Sequence, residues 1–236
     1  MFAIVFASLL RGFTGFGFAL AAVPLASLVL PPRPVVTAAL LMQTAIGLRD
    51  CVAERRLADQ GAVLRLTIGA IGGTPIGLWA LTALPSPAVR LALGTLVALA
   101  VAVTWRPLPS RREPVAGWAI GTGFCSGICN GLAAMAGPPA IFYFLAFEPN
   151  RVAMRSSLMV FFPIVSLLAI VIAASVGLVD RTALLVAAIG FPIMWIGGRV
   201  GARMFVRAGH RSYRIVAAAA LVATALASIA KGLAEL

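Results

Sequence analysis

Two glycine-rich segments lie within long apolar stretches of this chain. The first is Gly12-Phe13-Thr14-Gly15-Phe16-Gly17, and the second is Gly127-Ile128-Cys129-Asn130-Gly131. Glycines can interrupt a helix inside a membrane and let a ligand approach the backbone closely. A helix that starts again after such a break carries unpaired N–H groups and the positive end of its dipole. The chemistry that these residues indicate is therefore anion binding.

Other side chains near the two segments could add donors to an anion site. Thr14 and Asn130 offer hydroxyl and amide donors, and Arg11 offers a positive charge beside the first segment. The predicted substrate-binding residues are Arg11, Gly12, Thr14, Gly15, Gly17, Gln43, Asn130, Gly131, Gly137 and Pro138. For two of them an alternative stays open. Arg11 could instead extend to a membrane surface, and Gln43 could form hydrogen bonds between helices.

The two segments are related by a constant offset. Gly12, Pro24 and Pro34 in the first half recur as Gly127, Pro139 and Pro149, and in each case the numbers differ by 115. A duplication of this kind in a membrane protein is typical of transporters built from two inverted halves, whose broken helices meet near the bilayer centre. We therefore expect a first repeat at 1–112 and a second at 113–236, together forming one membrane domain.

Composition places the chain in a bilayer and argues against catalysis. Hydrophobic residues make up 61% of the sequence, and the mean hydropathy is +1.04. The net charge of +12 comes from arginines beside apolar segments, which is typical of cytoplasmic loops, so nucleic-acid binding is not expected. All seven acidic residues and His210 fall at segment ends or in loops. No catalytic group, metal site or cofactor is therefore expected, and the protein is predicted not to be an enzyme.

The fold class predicted from the apolar runs is all-α. Eight runs are separated by charged residues, at about 2–31, 34–48, 66–85, 87–105, 115–147, 156–179, 182–206 and 212–231. If all eight crossed the membrane, nine of the flanking cations would lie on one side and eight on the other, which is no bias. If the fifth run enters and leaves on one side, the division becomes thirteen to four, as the positive-inside rule favours. This predicts a re-entrant or half-broken fifth run and a matching first run.

Small residues predict where helices pack. Gly73 and Gly77 in the third run correspond to Gly197 and Gly201 in the seventh. Spacing of four residues between small side chains is typical of tight helix contacts in membranes, although a backbone-lined pore is the alternative. Arg199 lies between the second pair and is followed by Arg203 and Arg207, so it is either a second cation for an anion or part of a stripe that leads to the surface.

Longer motifs resemble a known family. The patterns GFTGFGFALAAVPL in the first half and GFCSGICNGLAAMAGPPAIFYFLAFEPNRVAMRSSLMVFF in the second resemble the sulfite exporter TauE/SafE family of membrane permeases. The resemblance implies a permease for sulfite, sulfonates and related small organic anions in the bacterial inner membrane. The first motif departs from the family in having Phe16, Phe18 and Ala19 within its glycine run, which indicates a more apolar pocket that suits a small organosulfonate.

We therefore expect a multi-pass inner-membrane permease that moves small sulfur-containing anions by alternating access. Its partners would be the small anion and the lipid bilayer, and a homodimer is possible under this expectation. The first alternative is a carrier of other small carboxylate anions. The second is a non-transporting membrane scaffold or an embedded enzyme.

Overall fold

The computed structural model describes residues 2–14, 17–105, 116–148, 150–207 and 210–235, and these residues form helices joined by short turns. No strand occurs among them. The helices are α1 (Phe2–Thr14), α2 (Phe18–Ser27), α3 (Pro32–Glu54), α4 (Gln60–Ala83), α5 (Ser86–Trp105), α6 (Ala116–Ala133), α7 (Gly137–Phe147), α8 (Arg151–Ser175), α9 (Arg181–Arg207) and α10 (His210–Ala234). Four of the described helices, α3, α4, α8 and α9, are long and apolar enough to cross a membrane. The all-helical, polytopic fold is as predicted.

Helix ends are fixed by polar caps in the turns. The Asp59 carboxylate accepts a hydrogen bond from the Ala62 amide at 3.0 Å at the start of α4, and the Asn150 side chain accepts from Val152 at 2.9 Å at the start of α8. These caps satisfy backbone donors that a helix start leaves unpaired. Gly177 follows α8 with a φ of 74°, a left-handed conformation that glycine adopts without strain.

Hydrogen bonds between helix ends define the two sides of the bundle. Ser156 donates to Glu54 at 2.6 Å, and the Asp59 amide donates to Ser157 at 2.8 Å, so the end of α3 and the starts of α4 and α8 lie together. We call this the arginine-rich side. At the other end of α3, Arg33 donates to the Leu81 carbonyl at 3.2 Å near the end of α4. We call this the opposite side.

Helices α6 and α7 form a hairpin that enters and leaves on the arginine-rich side. Along α6, Gly123, Gly127 and Gly131 face successively later residues of α4, so the two helices run parallel from the same side. Helix α7 then returns, because the turn after it leads directly into the start of α8. This is the re-entrant arrangement that the charge pattern predicts.

Helices α1 and α2 form a second hairpin, from the opposite side. Gly190 of α9 packs on Ile4 and Gly197 packs on Ser8, so α1 runs parallel to α9, which starts on the opposite side. Helix α2 ends on that side, where Arg90 of α5 donates to the Ser27 carbonyl at 2.8 Å. The two hairpins therefore enter the bundle from different sides.

The helix partners of the two hairpins are exchanged between the halves. Helix α1 packs on α9 and α6 packs on α4, while α3 contacts α8 and α5 contacts α10. A pseudo-two-fold axis in the membrane plane produces such an exchange. The predicted boundary between residues 112 and 113 lies outside the described residues and stays a prediction.

Two details of the predicted repeat are wrong. The second glycine motif, Gly127 to Gly131, does not interrupt a helix, because α6 continues to Ala133. The offset between equivalent helices also differs from 115. The first residues of α2 and α7 are 18 and 137, and those of α3 and α8 are 32 and 151, so each pair differs by 119. The sequence offset of 115 is therefore displaced from the helix order by about one turn.

The glycine packing faces are confirmed. A Cβ added at Gly73 or Gly77 would collide with the backbone of α6, and one at Gly197 or Gly201 would collide with α1. What the prediction missed is the partner of the first pair. Gly123, Gly127 and Gly131 in α6 face α4 in return, so both helices of this contact carry glycines at four-residue spacing.

Candidate functional site

The tips of the two hairpins meet at a small cavity, which we call the central cavity. Its walls come from both tips and from the middle of α3 and α8. The lining residues are Gly17, Ala19, Leu20, Gln43, Asn130, Ala134, Met135, Ala136, Gly137, Phe162 and Ser166. Four predicted site residues, Gly17, Gln43, Asn130 and Gly137, are therefore brought together here. The cavity holds about 20 Å³, which is room for about one water molecule.

The first tip presents the start of α2 to the cavity. Gly17 precedes this helix with a φ of 95°, a conformation that an L residue with a side chain rarely adopts. No side chain caps the helix start, and the cavity reaches Ala19 and Leu20 in its first turn. The first-turn N–H groups and the positive dipole end are therefore available to an anion.

The second tip is a strained turn without glycine. Ala134 has a φ of 56°, and a left-handed alanine costs about 1–2 kcal/mol. The Gln43 side chain donates to the Ala134 carbonyl at 3.1 Å and so ties this turn to α3. Such strain persists only where the surrounding structure imposes it, and it is commonly found at functional sites.

Helix α7 offers fewer donors than the prediction assumes. Pro138 and Pro139 follow Gly137 in its first turn, and proline has no N–H group. Their fixed φ angles favour the helix start but remove two of its four free donors. The donors that α7 could offer to an anion are therefore its dipole end and the amides of Ala136 and Gly137.

Two side-chain amides complete the polar lining. The Asn130 amide group donates to the Val165 carbonyl of α8 at 3.1 Å, and Asn130 is only 1% exposed. Each carboxamide has two N–H donors, so Asn130 and Gln43 each retain one donor beyond the bond that holds them. The hydrogen bond between helices that the sequence allows for Gln43 is present, and it leaves this second donor next to the cavity.

Arg11 lies in a different pocket. This second pocket, the arginine pocket, holds about 200 Å³ and is lined by Arg11, Ile46, Arg49, Asp50, Arg155, Met159, Met194, Trp195, Gly198 and Arg199. A guanidinium nitrogen of Arg11 lies 2.8 Å from a carboxylate oxygen of Asp50. No acid lies close to Arg11 in the sequence, but α3 continues past Leu48 and brings Asp50, 39 residues away, to it.

The remaining predicted residues are placed elsewhere. Gly131 is buried against α4, where an added Cβ would lie 2.5 Å from the Thr74 carbonyl oxygen, so its immediate role is packing. Pro138 lines a large apolar groove between α5, α6 and α7. Gly12 and Thr14 belong to the last turns of α1, and Gly15 lies outside the described residues. A substrate contact by any of these five stays a prediction.

Sequence reasoning missed Phe162 and Ser166, which line the central cavity from α8. A signal for them exists. Arg155, Met159, Phe162 and Ser166 are spaced by four, three and four residues, which puts them on one helical face. The first two line the arginine pocket, and the last two line the central cavity.

Comparison with known proteins agrees with this architecture. The family model described as sulfite exporter TauE/SafE matches residues 1–228. A protein of Cupriavidus necator, named as a probable sulfite/organosulfonate exporter TauE, is 27% identical over 197 residues, which cover 80% of this chain and 77% of that protein. No solved structure matches the chain significantly. Members of the matched family are transporters and not enzymes. Because the match extends over nearly all of both hairpins and the long helices between them, this chain belongs to the sulfite exporter TauE/SafE family.

Proposed function

We propose that the protein moves sulfite or a small organosulfonate across the bacterial inner membrane by alternating access around the central cavity. One observation carries this proposal: the N-terminal ends of α2 and α7, on hairpins from different sides, line the same cavity. Each helix start contributes roughly half a positive charge. Two helix starts at the same cavity therefore stabilise an anion at a depth where the lipid alone would exclude it.

The donors around the cavity match a sulfur oxyanion. A sulfite or sulfonate group presents three acceptor oxygens, which the first-turn amides of α2, the free amide donors of Gln43 and Asn130, and the Ser166 hydroxyl can bind. Leu20 and Phe162 provide an apolar wall for a short carbon stem. A planar carboxylate has two oxygens and uses fewer of these donors.

The central cavity is too small for the anion in this conformation. A volume of about 20 Å³ has room for about one water molecule, so it is too small for a sulfite ion at hydrogen-bonding distance from its donors. The tips must therefore separate during transport. Since each hairpin is anchored on its own side, withdrawal of one tip at a time would open the cavity first to one side and then to the other.

Charge sets the orientation in this proposal. By the count from the sequence, thirteen of the seventeen cations at the segment ends fall on the arginine-rich side, and this proposal assigns that side to the cytoplasm. An anion leaving the cell would then meet the arginine pocket before the central cavity. A homodimer and the lack of nucleic-acid binding stay predictions.

Flux into proteoliposomes tests the proposal against its alternatives. Vesicles with and without the protein are compared for uptake of sulfite, ethanesulfonate and acetate. We expect uptake of the two sulfur anions above that of empty vesicles. Preferred acetate uptake would instead support a carboxylate carrier, and no flux above empty vesicles would support a scaffold.

A matched pair of variants locates the site. Ser166→Ala removes a hydroxyl at the cavity. Ser126→Ala removes one that is equally buried in α6, lies outside the cavity lining and has no hydrogen-bond partner among the described residues. A hydrogen bond to a charged group is worth about 1.5–3 kcal/mol, so Ser166→Ala should raise KM about tenfold or more. Equal KM values for the two variants would exclude Ser166 from the binding site.

A further inference from the structure

The arginine pocket has the features of a second anion site. Arg11, Arg49, Arg155 and Arg199 line it together with a single acid, Asp50, so four positive charges face one negative charge within about 200 Å³. Nearby Glu54 lies 3.9 Å from Arg155, which reduces but does not cancel the excess. A pocket of this size suits a small ligand, and its charge selects an anion.

The pocket is aligned with the central cavity. On α3, Gln43 lines the cavity while Ile46 and Asp50 line the pocket, and spacings of three and seven residues place all three on one face. Seven residues of helix span about 10 Å. The stripe from Ser166 to Arg155 on α8 connects the same two spaces. The pocket therefore lies at the arginine-rich end of a path that the two helices form.

The Asp50 carboxylate occupies the position in the pocket where an anionic ligand would bind Arg11. The Asp50 carboxylate binds Arg11, which is only 14% exposed, at 2.8 Å. A carboxylate provides two oxygens to a guanidinium in the geometry that a sulfonate or sulfite also uses. Arg199 is held in another way, by a cation–π contact in which its guanidinium carbon lies 3.6 Å from the centre of the Trp195 ring. Both arginines are thus restrained near the pocket when no anion occupies it.

We propose that the arginine pocket is an entry site in which a small sulfur oxyanion displaces Asp50 from Arg11 before it moves along α3 and α8 to the central cavity. This inference rests on the proposed transport function, because it names where the same anion is first captured. It differs from that function in placing full positive charges at the entrance and neutral donors at the centre.

Trp195 provides a local reporter for the test. The full chain, with Trp79, Trp105 and Trp118 changed to Phe, is placed in nanodiscs of zwitterionic lipid and titrated with sodium sulfite and with sodium ethanesulfonate at constant ionic strength. We expect a saturable change in Trp195 fluorescence, because the anion draws Arg199 away from the ring. The absence of any saturable change would overturn the proposal.

Three substitutions separate ligand binding from a structural ion pair. Asp50→Asn removes the competing charge and should lower the apparent Kd about tenfold, whereas Arg11→Gln should raise it about tenfold. Arg181→Gln, at an exposed position on the opposite side, should leave it unchanged. If Asp50→Asn weakens binding as Arg11→Gln does, the pair is structural and the entry site is refuted. If Arg11→Gln does not fold, Arg155→Gln replaces it, since that side chain is 55% exposed.

Two further measurements complete the design. Basic pockets between membrane helices also bind lipid headgroups. If phosphatidylglycerol in the nanodisc produces the Trp195 change and abolishes the response to sulfite, the pocket is a lipid site and the proposal fails. Flux measured on the same preparations separates this inference from the proposed function. Flux without a Trp195 response refutes the entry site and leaves transport standing. A response without flux shows that the pocket binds the anion, but it refutes transport and with it the role of the pocket as an entry site.

Discussion

Replacing Gly127 by alanine should separate α6 from α4 and disturb the hairpin that forms half of the central cavity. An added Cβ would lie 2.6 Å from the Ala70 carbonyl oxygen and 2.8 Å from the Thr74 nitrogen, whereas ordinary contact begins at 3.4 Å. Both atoms belong to the backbone of α4 and cannot rotate away. The two helices must therefore move apart by about 0.8 Å, which is the difference between 3.4 and 2.6 Å.

A gap of this size is costly because the contact is long. A displacement of 0.5–1 Å forfeits roughly a quarter to a half of the dispersion energy between facing atoms, and overpacking of this kind costs about 1–3 kcal/mol. Gly121→Ala is the matched control. It lies in the same helix, and a Cβ there would meet nothing within 4 Å. Both substitutions change the helix propensity equally, so the difference between them isolates the packing.

The measurement is thermal unfolding in detergent, followed by sulfite flux in vesicles. We expect Gly127→Ala to unfold at a lower temperature than Gly121→Ala and to transport more slowly, because Asn130 lies on the displaced part of α6 and Ala134 follows directly after it. Equal unfolding temperatures and equal flux would refute the reasoning. In that case glycine would not set the distance between α4 and α6.

Three other predictions follow from the described contacts. Arg90→Gln should destabilise the protein by about 1–3 kcal/mol in thermal unfolding while the KM for sulfite stays unchanged, since buried Arg90 bonds Ser27 and Glu235 far from the cavity. Single cysteines at Ala58 and Asn150, in a background without the native cysteines, should label from the same side of the membrane and one at Thr182 from the other. Labelling of Ala58 and Asn150 from different sides would support eight simple spans. Finally, since no titratable side chain lines the central cavity among the described residues, ethanesulfonate should redistribute with membrane potential alone, by about fiftyfold per 100 mV, as measured with a potassium gradient and valinomycin. A requirement for a proton gradient would instead indicate a coupled carrier.

The sequence identifies the hairpins but not the position of the second break. Glycine in a membrane helix indicates either a break or a close helix contact, and one segment alone does not distinguish them. In the second half the break falls at Ala134, held by Gln43, where no glycine occurs. A signal was nevertheless present: α4 and α6 both repeat glycine every fourth residue, and this match indicates packing between them.

Long-range ion pairs could not be predicted from local patterns. Arg11 and Asp50 are 39 residues apart, and the apolar run that defines α3 ends at Leu48, before Asp50. The helix itself continues to Glu54, which brings Asp50 to the inner face of the bundle. Hydropathy marks the part of a helix that lipid accepts, and it does not mark the turns beyond that part where charged residues meet.

The cations of the two sides have different roles, and this difference gives the path its direction. On the opposite side, three of the four cations, Arg33, Arg90 and Lys231, donate to backbone carbonyls at the ends of α4 and α2, so their charge is used for helix capping. The fourth, Arg181, is exposed. On the arginine-rich side, Arg49 and Arg199 remain exposed at the pocket. An anion is therefore attracted from that side more strongly than from the other.

The central cavity has no charged side chain among its described lining residues, and this suits a carrier. An anion bound by several arginines at the bilayer centre would be released slowly, because passage requires binding that is strong enough for entry and weak enough for exit. Helix dipoles and amide donors supply only partial charges, so they bind an anion less tightly than a guanidinium does. In the proposed path, full charges at the entrance and partial charges at the centre would form a gradient along which an anion is captured, passed inward and released.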